Sequence, residues 1–350
     1  MKILAPTNSP DEVRTIIQSG ADELYCGVLS KEWKRKYTNV ASINRREFAL
    51  SNMKSYDELE RSVKIAHSFD VPVLFTMNGL YTEEQHDFVI KEIKKAIDAG
   101  IDSLIIADLA LLLKLKELEI KTKIQISTGA TVFNSKTINF YKKLGITRFT
   151  LPRQMTIEEM KKIIKNNIKI DVFIMNARCI NEDGFCTFQH GINEIIHPFL
   201  GPLLKKKKYD FFVSSIIRRL PNKLYDVLVQ RDILSSLSAC YLYYNVSSLK
   251  SSEKGFEKII ASNFGLKHFP NQCGACSLYD FHKMNVNAVK IVGRQNPTSK
   301  KIKDVKFLVT LRNYLDSNPN EREFKKRCKK EFIKFFGIKC DQFQCYYNTV

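Results

Sequence analysis

Residues 71–108 read VPVLFTMNGLYTEEQHDFVIKEIKKAIDAGIDSLIIAD, and they contain one complete strand–helix–strand unit. The runs Val71–Asn78 and Ser103–Asp108 are short and apolar and end on a polar residue, which is typical of buried parallel strands. Between them lies an amphipathic stretch that begins at Thr82 and ends at Gly100, which predicts a helix. Because parallel strands need such a crossover, the two strands are predicted to belong to one parallel sheet.

The same alternation of strand and helix continues on both sides of this unit. The other predicted strands are Lys2–Pro6, Glu23–Val28, Lys123–Thr128, Arg148–Pro152, Lys169–Met175 and Ala288–Gly293. Eight strands that alternate with helices of about 10–15 residues favour an α/β fold, a TIM-like (β/α)8 barrel. An open doubly wound sheet is the alternative, but no Gly-x-Gly-x-x-Gly motif follows any predicted strand.

The alternation breaks between the seventh and eighth predicted strands, which defines the domain organisation. We predict a barrel domain over 1–318, a Cys-rich insertion within it over about 177–287, and a basic, Cys-containing C-terminal tail over 319–350. Within the insertion, Phe199–Lys208 and Ser247–Gly255 are predicted loops and Tyr225–Leu237 is a predicted helix. Because the insertion follows strand seven, we expect it to cover the carboxyl ends of the strands.

Composition gives weaker indications about partners. The chain carries 56 Lys and Arg against 37 Asp and Glu, a net charge of +19, which is compatible with an RNA partner. A competing explanation is the combined Lys, Ile and Asn usage, which is typical of AT-rich genomes. No apolar run is long enough to span a membrane and the amino terminus has no apolar leader segment, so a cytoplasmic protein is expected by default. Nothing in the sequence indicates the oligomeric state.

Polar side chains follow the predicted strands at the end where barrel enzymes place their active sites. The residues at these ends are Thr7, Asn8, Cys26, Asn78, Asp108, Thr128, Arg153, Asn176 and Arg294. The predicted substrate-binding residues are Asn78, Asp108, Thr128, Arg153 and Asn176. Arg153 is the strongest candidate, because a guanidinium can bind a carboxylate or phosphate through two hydrogen bonds. For any of these residues, capping of the following helix is the alternative role.

The nine cysteines favour metal binding or catalysis over disulfides in a chain that is expected to be cytosolic. The predicted metal ligands are the middle five, Cys179, Cys186, Cys240, Cys273 and Cys276, which share one predicted end of the barrel. Thiolates suit an iron–sulfur cluster or zinc. The lack of a histidine at finger-like spacing favours the cluster, whereas His190, close to Cys186, keeps zinc as the alternative.

The other four cysteines are given different roles. Cys26 lies inside a predicted strand and is expected to be a small buried side chain. The tail contains Cys328, Cys340 and Cys345. The spacing Cys340-x4-Cys345 suits a second metal site, but a packed or surface pair is the simpler prediction.

A series of short blocks resembles the U32 peptidase family. The blocks are Leu4–Pro6, Gly20–Tyr25, Arg45–Arg46, Ser51–Met53, Tyr56–Leu59, Phe75–Asn78, Ile106–Leu109, Ser127–Thr128, Leu151–Arg153 and Val289–Arg294. They occur in the family's order and span roughly residues 1–316. Two positions depart from the family pattern: Val292 stands where many members have Glu, and Met175-Asn176 stands where many have His-Gly.

The resemblance implies two activities. The family name implies proteolysis, and some members are collagenases. Other members are oxygen-independent hydroxylation proteins with a 4Fe-4S cluster on four cysteines, acting on a ubiquinone precursor, transfer RNA or ribosomal RNA. Cys179 and Cys186 match the first pair of that pattern, and two of Cys240, Cys273 and Cys276 would complete it.

Three functions follow as hypotheses from the resemblance and the charge. The leading one is a 4Fe-4S enzyme, served by a redox partner, that hydroxylates an RNA base or an aromatic small molecule. A collagenase-like peptidase is the first alternative, although the sequence carries no recognised hydrolytic motif. A non-enzymatic RNA-binding protein is the second.

Overall fold

The computed structural model describes residues 1–37, 43–46, 51–164, 168–176, 179, 183–184, 216, 219–221, 224, 244–252, 255–264, 272–340 and 345–347. The predicted loop Phe199–Lys208 and the predicted helix Tyr225–Leu237 both lie outside the described residues, so neither prediction is tested. Cys186 and Cys240 also lie outside the described residues.

Eight parallel strands close into a barrel. The strands of the described residues are β1 (Lys2–Pro6), β2 (Glu23–Cys26), β3 (Val73–Met77), β4 (Ser103–Ile106), β5 (Lys123–Ile126), β6 (Arg148–Thr150), β7 (Lys169–Met175), β8 (Tyr244–Ser252), β9 (Gly255–Phe264) and β10 (Ala288–Ile291). The barrel order runs from β1 to β7 in sequence, and β10 then pairs with both β7 and β1 and closes the ring. The predicted (β/α)8 barrel is confirmed.

Helices surround the barrel and connect its strands. The helices of the described residues are α1 (Pro10–Gln18), α2 (Lys31–Lys36), α3 (Tyr56–His67), α4 (Glu83–Asp98), α5 (Leu109–Glu117), α6 (Ser135–Lys143), α7 (Ile157–Ile163), α8 (Leu278–Lys283), α9 (Thr298–Leu315) and α10 (Glu321–Phe336). The sequence marks several of their starts: Ser9, Ser55 and Asn134 each accept a backbone N–H of the first turn. None of the described helices has the length and apolar character needed to cross a bilayer.

The predicted loop Ser247–Gly255 is wrong. Ser247–Ser252 and Gly255 lie in two antiparallel strands, in which Ser252 at the end of β8 pairs with Gly255 at the start of β9. The strand β8 reads YNVSSLKSS and has few apolar residues, so it lacks the clear alternation that predicts a strand. Its pairing with β9 supplies the strand structure, and that pairing cannot be read from β8 alone.

Layers of side chains fill the barrel interior. One layer contains Leu4, Tyr25, Leu74, Ile105 and Ala288, contributed by five different strands. The amino-terminal end is closed by a polar network in which the Arg148 guanidinium donates to Glu23 and, at 2.8 Å, to Asp171 Oδ2. Burial alone would raise the pKa of the Glu23 carboxyl, but the hydrogen bonds from Arg148 and Lys2 lower it overall. The charged side chains at this end of the barrel therefore pair with one another, and we assign them a structural role.

The C-terminal tail packs on the barrel. The helix α10 contacts α9 and the short turn Ala275–Ser277. Aromatic rings fill the contact between the helices: Phe307 lies 6.1 Å from Phe332 and 5.2 Å from Phe336 between ring centroids. This packing brings Cys328, which is buried in α10, next to the Ala275–Ser277 turn.

Candidate functional site at the barrel mouth

The carboxyl ends of the barrel strands form one rim, which we call the barrel mouth. The predicted substrate-binding residues Asn78, Asp108, Thr128, Arg153 and Asn176 each follow a strand within three residues, so all five lie at this rim. The barrel thus brings together side chains that are far apart in sequence. Their hydrogen-bond partners show which of them remain available to a ligand.

Thr128 and Arg153 are joined by a carboxylate that the sequence reasoning missed. Thr128 Oγ1 donates to Asp183 Oδ2 at 2.8 Å, and the backbone N–H and Nε of Arg153 donate to the same oxygen at 3.0 and 3.3 Å. Burial alone would lower the pKa of Arg153, but the charge of Asp183 raises it overall. The guanidinium also lies 4.3 Å from the Phe173 ring centroid. Arg153 is therefore a fixed, permanently charged group.

A signal for Asp183 was present in the sequence as the turn dipeptide Asp183-Gly184. Gly184 has a φ of +93°, and a Cβ there would lie 2.2 Å from Thr131 Cγ2 and 2.9 Å from the Gly129 carbonyl oxygen. Only glycine fits this left-handed, crowded position. The glycine lets the turn approach the end of β5 closely enough for Asp183 to reach Thr128.

Asn176 follows β7 and hydrogen-bonds to Val292 after β10 and to Asp304 of α9. It has a φ of +65°, and its Nδ2 donates to the Val292 carbonyl at 3.1 Å and to Asp304 Oδ2 at 2.7 Å. Its Oδ1 is buried and has no hydrogen-bond partner among the described residues, and the same holds for Oδ1 of Asn78. Since a buried acceptor without a partner costs about 1–3 kcal/mol, each of these two oxygens is expected to accept a further hydrogen bond, from water or from a ligand.

Both carboxylate oxygens of Asp108 already accept backbone N–H groups. Its Oδ1 accepts the Leu111 N–H at 2.8 Å as the cap of α5, and its Oδ2 accepts the Tyr81 N–H at 2.9 Å. The Nε2 of His86 lies 4.0 Å from Oδ1. The alternative role of helix capping therefore accounts for both oxygens of Asp108, and a ligand there would have to share them.

The sequence did not indicate Lys290 as a site residue, because Lys290 lies within a predicted strand and not at its end. Its side chain is 6% exposed, and Nζ lies 4.3 Å from the Tyr25 ring centroid and 5.8 Å from that of Phe173. Burial lowers the pKa of Lys290 to about 7. Among the described residues no carboxylate forms a salt bridge with it. The signal in the sequence was a single charge within the apolar strand Ala288–Ile291.

Arg294 follows β10 and lies inside the mouth. Nη1 donates to Thr76 Oγ1 at 2.9 Å, and Nη2 donates to the Asn44 carbonyl and Oδ1 at 3.3 Å. Burial, followed by the nearby charge of Arg46, lowers the pKa of Arg294 to about 10. A Cβ at Gly27 would lie 2.2 Å from Nη1, so the guanidinium needs glycine beside it.

Positive charge therefore dominates the described part of the mouth. The basic groups at or just inside it are Arg45, Arg46, Arg153, Lys290 and Arg294. The carboxylates Asp108 and Asp183 are nearby, but the first caps a helix and the second binds Arg153 and Thr128. A site with this balance favours an anionic ligand.

The structure places three of the five predicted metal ligands near the end of β7. Cys179 follows β7, its carbonyl accepts Gln154 Nε2 at 3.4 Å, and its thiol lies close enough to Arg153 to affect its pKa. Cys273 forms an antiparallel bridge with Met175, the last residue of β7, and Cys276 follows in the same turn. Among the described residues, no three His, Cys, Asp or Glu side chains are already arranged around a common metal position.

The backbone around Cys273 suits a thiolate ligand. The N–H of Ala275 donates to Cys273 Sγ at 3.3 Å, and such bonds stabilise the charge of a metal-bound sulfur. Burial raises the pKa of the Cys273 thiol, so it is protonated in the protein as it stands. Coordination would remove that proton. The donor type and the backbone contact therefore fit a thiophilic metal.

Fold and site together define a closed (β/α)8 barrel protein with a cationic mouth and thiols beside the seventh strand. The chain belongs to peptidase family U32, whose family model matches residues 8–195, more than half of the chain. This confirms the resemblance inferred from the sequence blocks.

The chain is similar to several curated proteins. It is 27% identical over 196 residues to tRNA hydroxylation protein P of Haemophilus influenzae, covering 55% of this chain and 39% of that protein. It is 28% identical over 194 residues to an uncharacterized protease of Methanocaldococcus jannaschii, covering 53% and 43%. It is 23% identical over 192 residues to the 23S rRNA 5-hydroxycytidine C2501 synthase of Escherichia coli, covering 54% and 26%. The chain thus spans less than half the length of these relatives.

Among solved structures, the U32 peptidase Mk0906 is similar over 85% of this chain and 94% of its own, with a TM-score of 0.43 and 12% identity.

Proposed function

We propose that this chain is an RNA-base hydroxylation enzyme of family U32 that admits its substrate at the barrel mouth. The observation that carries this proposal is the concentration of buried and half-buried cations at the mouth, with the nearby carboxylates already engaged. RNA presents one phosphate charge per nucleotide, so it is the anionic ligand most readily matched by several cations at one rim. Relatives named for hydroxylation of transfer RNA and for 5-hydroxycytidine synthesis in ribosomal RNA support the reaction type.

The mouth offers distinct groups for the two parts of a nucleotide. Arg45 and Arg46 are half-buried at the rim and would contact phosphates. The Oδ1 atoms of Asn78 and Asn176 lack partners among the described residues and would accept N–H groups of a base edge. A base turned out of its stack into the mouth would donate to one of these oxygens once that atom becomes accessible, and such extrusion is how enzymes reach base atoms for chemistry. Arg153, Lys290 and Arg294 would line the path inward.

An iron–sulfur cluster is proposed as the cofactor, with an electron-transfer partner. Its ligands would be Cys179 and Cys186, completed from Cys240, Cys273 and Cys276. The proposal is supported by the position of Cys179 beside Arg153 and by the fit of the Cys273 turn to a thiolate. When bound, such a cluster supplies one-electron transfer. The chain's own residues would hold the base, exclude water and keep the phosphates in place.

RNA binding is expected to depend on the mouth and on salt. The variant Arg45→Ala/Arg46→Ala should lower the slope of log affinity against log salt by about 1.4 for single-stranded RNA, because two phosphate contacts are lost. The matched control is Lys123→Ala/Lys169→Ala, which removes two exposed charges at the amino-terminal end of the barrel. Fluorescence anisotropy at several salt concentrations measures both slopes. Equal slopes for the two variants would place RNA binding elsewhere.

Iron content tests the cofactor. Anaerobically purified protein is expected to contain about four irons and four sulfides per chain, as a cluster on cysteine ligands requires. Cys179→Ser should reduce both, together with the visible absorbance. Cys26→Ala is the control, since Cys26 is fully buried in β2 and belongs to no proposed ligand set. Wild-type protein that contains no iron after anaerobic purification would contradict the cluster.

A further inference from the structure

A cavity of 560 Å³ opens at the amino-terminal end of the barrel, on the side opposite to the mouth. This volume lies in the range of about 300–1,000 Å³ that is usual for small-molecule sites. The barrel interior between the cavity and the mouth is filled by side chains such as Leu4 and Tyr25. The cavity lining includes the first residues of six barrel strands, Lys2, Glu23, Ser103, Lys123, Arg148 and Lys169.

Three neighbouring strands, β5, β6 and β7, each begin with a cation on the inward face of the barrel. Arg148 and Lys169 are partners in the sheet, so their side chains leave it on the same face. Gln125 and Asp171 are buried and hydrogen-bonded to each other inside the barrel. Lys123 lies two residues before Gln125, and Lys169 lies two residues before Asp171. Because side chains alternate along a strand, both lysines share the inward face.

The guanidinium of Arg148 has hydrogen-bonding capacity to spare. Nε and Nη2 donate to Asp171, and Nη2 also donates to Glu23. Nη1 donates to no described residue and is not sealed from solvent, although the Arg148 side chain is only 15% exposed. A guanidinium that two carboxylates hold in place thus presents unused N–H groups, which suit an oxyanion.

Positive charge predominates around this cavity. The two carboxylates of its described lining, Glu23 and Asp102, already accept hydrogen bonds from other residues. Lys123 and Lys169 form no ion pair with any described residue. Lys116 adds a further cation, whose Nζ donates to a backbone carbonyl at 2.8 Å. The charges that are left without a partner favour an anionic ligand.

Part of the cavity wall is apolar. It is formed by side chains that include Leu112, Ile120, Ile124 and Ile146. An inorganic ion on the cations would leave this wall in contact with water, whereas an organic group would cover it. A phosphate group carries more charge than a carboxylate and has enough oxygens to accept hydrogen bonds from several cations at once. The two parts of the lining therefore suit an organic phosphate.

We propose that this cavity binds a small organic phosphate, whose phosphate group is held by Lys123, Arg148 Nη1 and Lys169. The organic part of the ligand packs on the apolar wall. The guanidinium is already fixed by its two carboxylates, and the exposed lysine side chains close onto the phosphate. This site is independent of the barrel mouth and of the proposed RNA hydroxylation.

Lysine acylation followed by mass spectrometry tests the site in the full-length chain. The probes are AMP and glycerol phosphate, and adenosine and glycerol are their uncharged controls. The phosphates are expected to reduce the modification of Lys123 and Lys169 severalfold. Modification of Lys121 and Lys143, which are exposed but do not line the cavity, should stay unchanged. Equal protection of all four lysines, protection by the uncharged controls, or no protection by either phosphate would overturn the proposal.

Matched variants measure the contribution of the two lysines. Lys123→Ala/Lys169→Ala is expected to weaken AMP binding by about tenfold to hundredfold, because charge-assisted hydrogen bonds to the phosphate are lost. Lys121→Ala/Lys143→Ala removes the same charge and should leave the affinity unchanged. Isothermal titration calorimetry in an Arg45→Ala/Arg46→Ala background measures both, since this background weakens phosphate binding at the mouth. Unchanged affinity in the cavity variant, or equal weakening in both pairs, would overturn the proposal.

Discussion

Replacing Lys301 by methionine is expected to destabilise the protein by about 3–5 kcal/mol, the cost of breaking a buried ion pair by removing one partner. Lys301 is fully buried in α9, and its Nζ donates to Glu12 Oε1 at 2.8 Å and to Asn8 Oδ1 at 3.1 Å. The substitution leaves the buried Glu12 carboxylate without its cation. Urea unfolding followed by circular dichroism measures the loss.

Two further variants make this prediction specific. Lys306→Met changes the same residue type on the exposed side of α9 and should alter the unfolding free energy by less than about 0.5 kcal/mol. Glu12→Gln combined with Lys301→Met should recover part of the loss, because the orphaned charge is removed. A Lys301→Met variant as stable as wild type would show that the ion pair does not hold α1 and α9 together.

Replacing Lys290 by methionine is expected to lower the rate of the proposed RNA hydroxylation by about 10²–10⁴-fold, the usual contribution of a positioned proton acceptor. Burial lowers the pKa of Lys290 to about 7, so much of the amine is neutral at neutral pH and able to accept a proton. The wild-type rate should rise with pH through about 7 and then level off. Lys290→Arg carries a charge that it cannot lose and so cannot accept a proton, and it should not restore the rate.

Stability supplies a second readout for Lys290. Its pKa is lower in the folded protein than the ordinary value of 10.5, so between about 7 and 10.5 the unfolded chain binds a proton that the folded chain does not. The stability of wild type should therefore rise with pH across that window, and Lys290→Met should lack this rise. An arginine variant with the wild-type rate and pH profile would contradict the role of Lys290 as proton acceptor.

The barrel could be predicted because the residue pattern that encodes each of its strands is local in the sequence. Each short apolar run followed by a polar residue encodes a buried parallel strand, and β7 was predicted with the bounds that the structure shows, Lys169–Met175. The barrel strands then fix the mouth, so the positions of Asn78, Arg153 and Asn176 at one rim followed from strand ends alone. The hairpin β8–β9 was missed because its strand structure depends on pairing between segments of low hydrophobicity.

The partners of the mouth residues were not predictable, because they come from distant segments. Asp183 meets Thr128 and Arg153 across 55 and 30 residues of sequence. Lys290 was passed over because a charge inside an apolar strand has no visible partner in sequence. Its environment, between the Tyr25 and Phe173 rings, exists only once the barrel closes.

The tail cysteines show the same limit. The spacing of Cys340 and Cys345 was visible in sequence, and they were predicted to be a packed or surface pair. What the sequence could not supply is the bridge between Cys345 and Cys273, since residue pairing across more than 70 positions depends on how α10 packs on α9. That contact makes the tail part of the cysteine-rich side of the barrel.

Nucleoside analysis of cellular RNA tests the proposed function most directly. The full-length chain is expressed without oxygen in a bacterial host whose own U32 RNA-hydroxylation genes are deleted, and the RNA is digested and analysed by mass spectrometry. Wild-type protein is expected to produce a nucleoside heavier by one oxygen atom, and Lys290→Met protein, expressed at the same level, is not. RNA with no oxygen-containing addition, from cells whose wild-type protein carries its iron and binds RNA, would contradict the assignment of RNA-base hydroxylation.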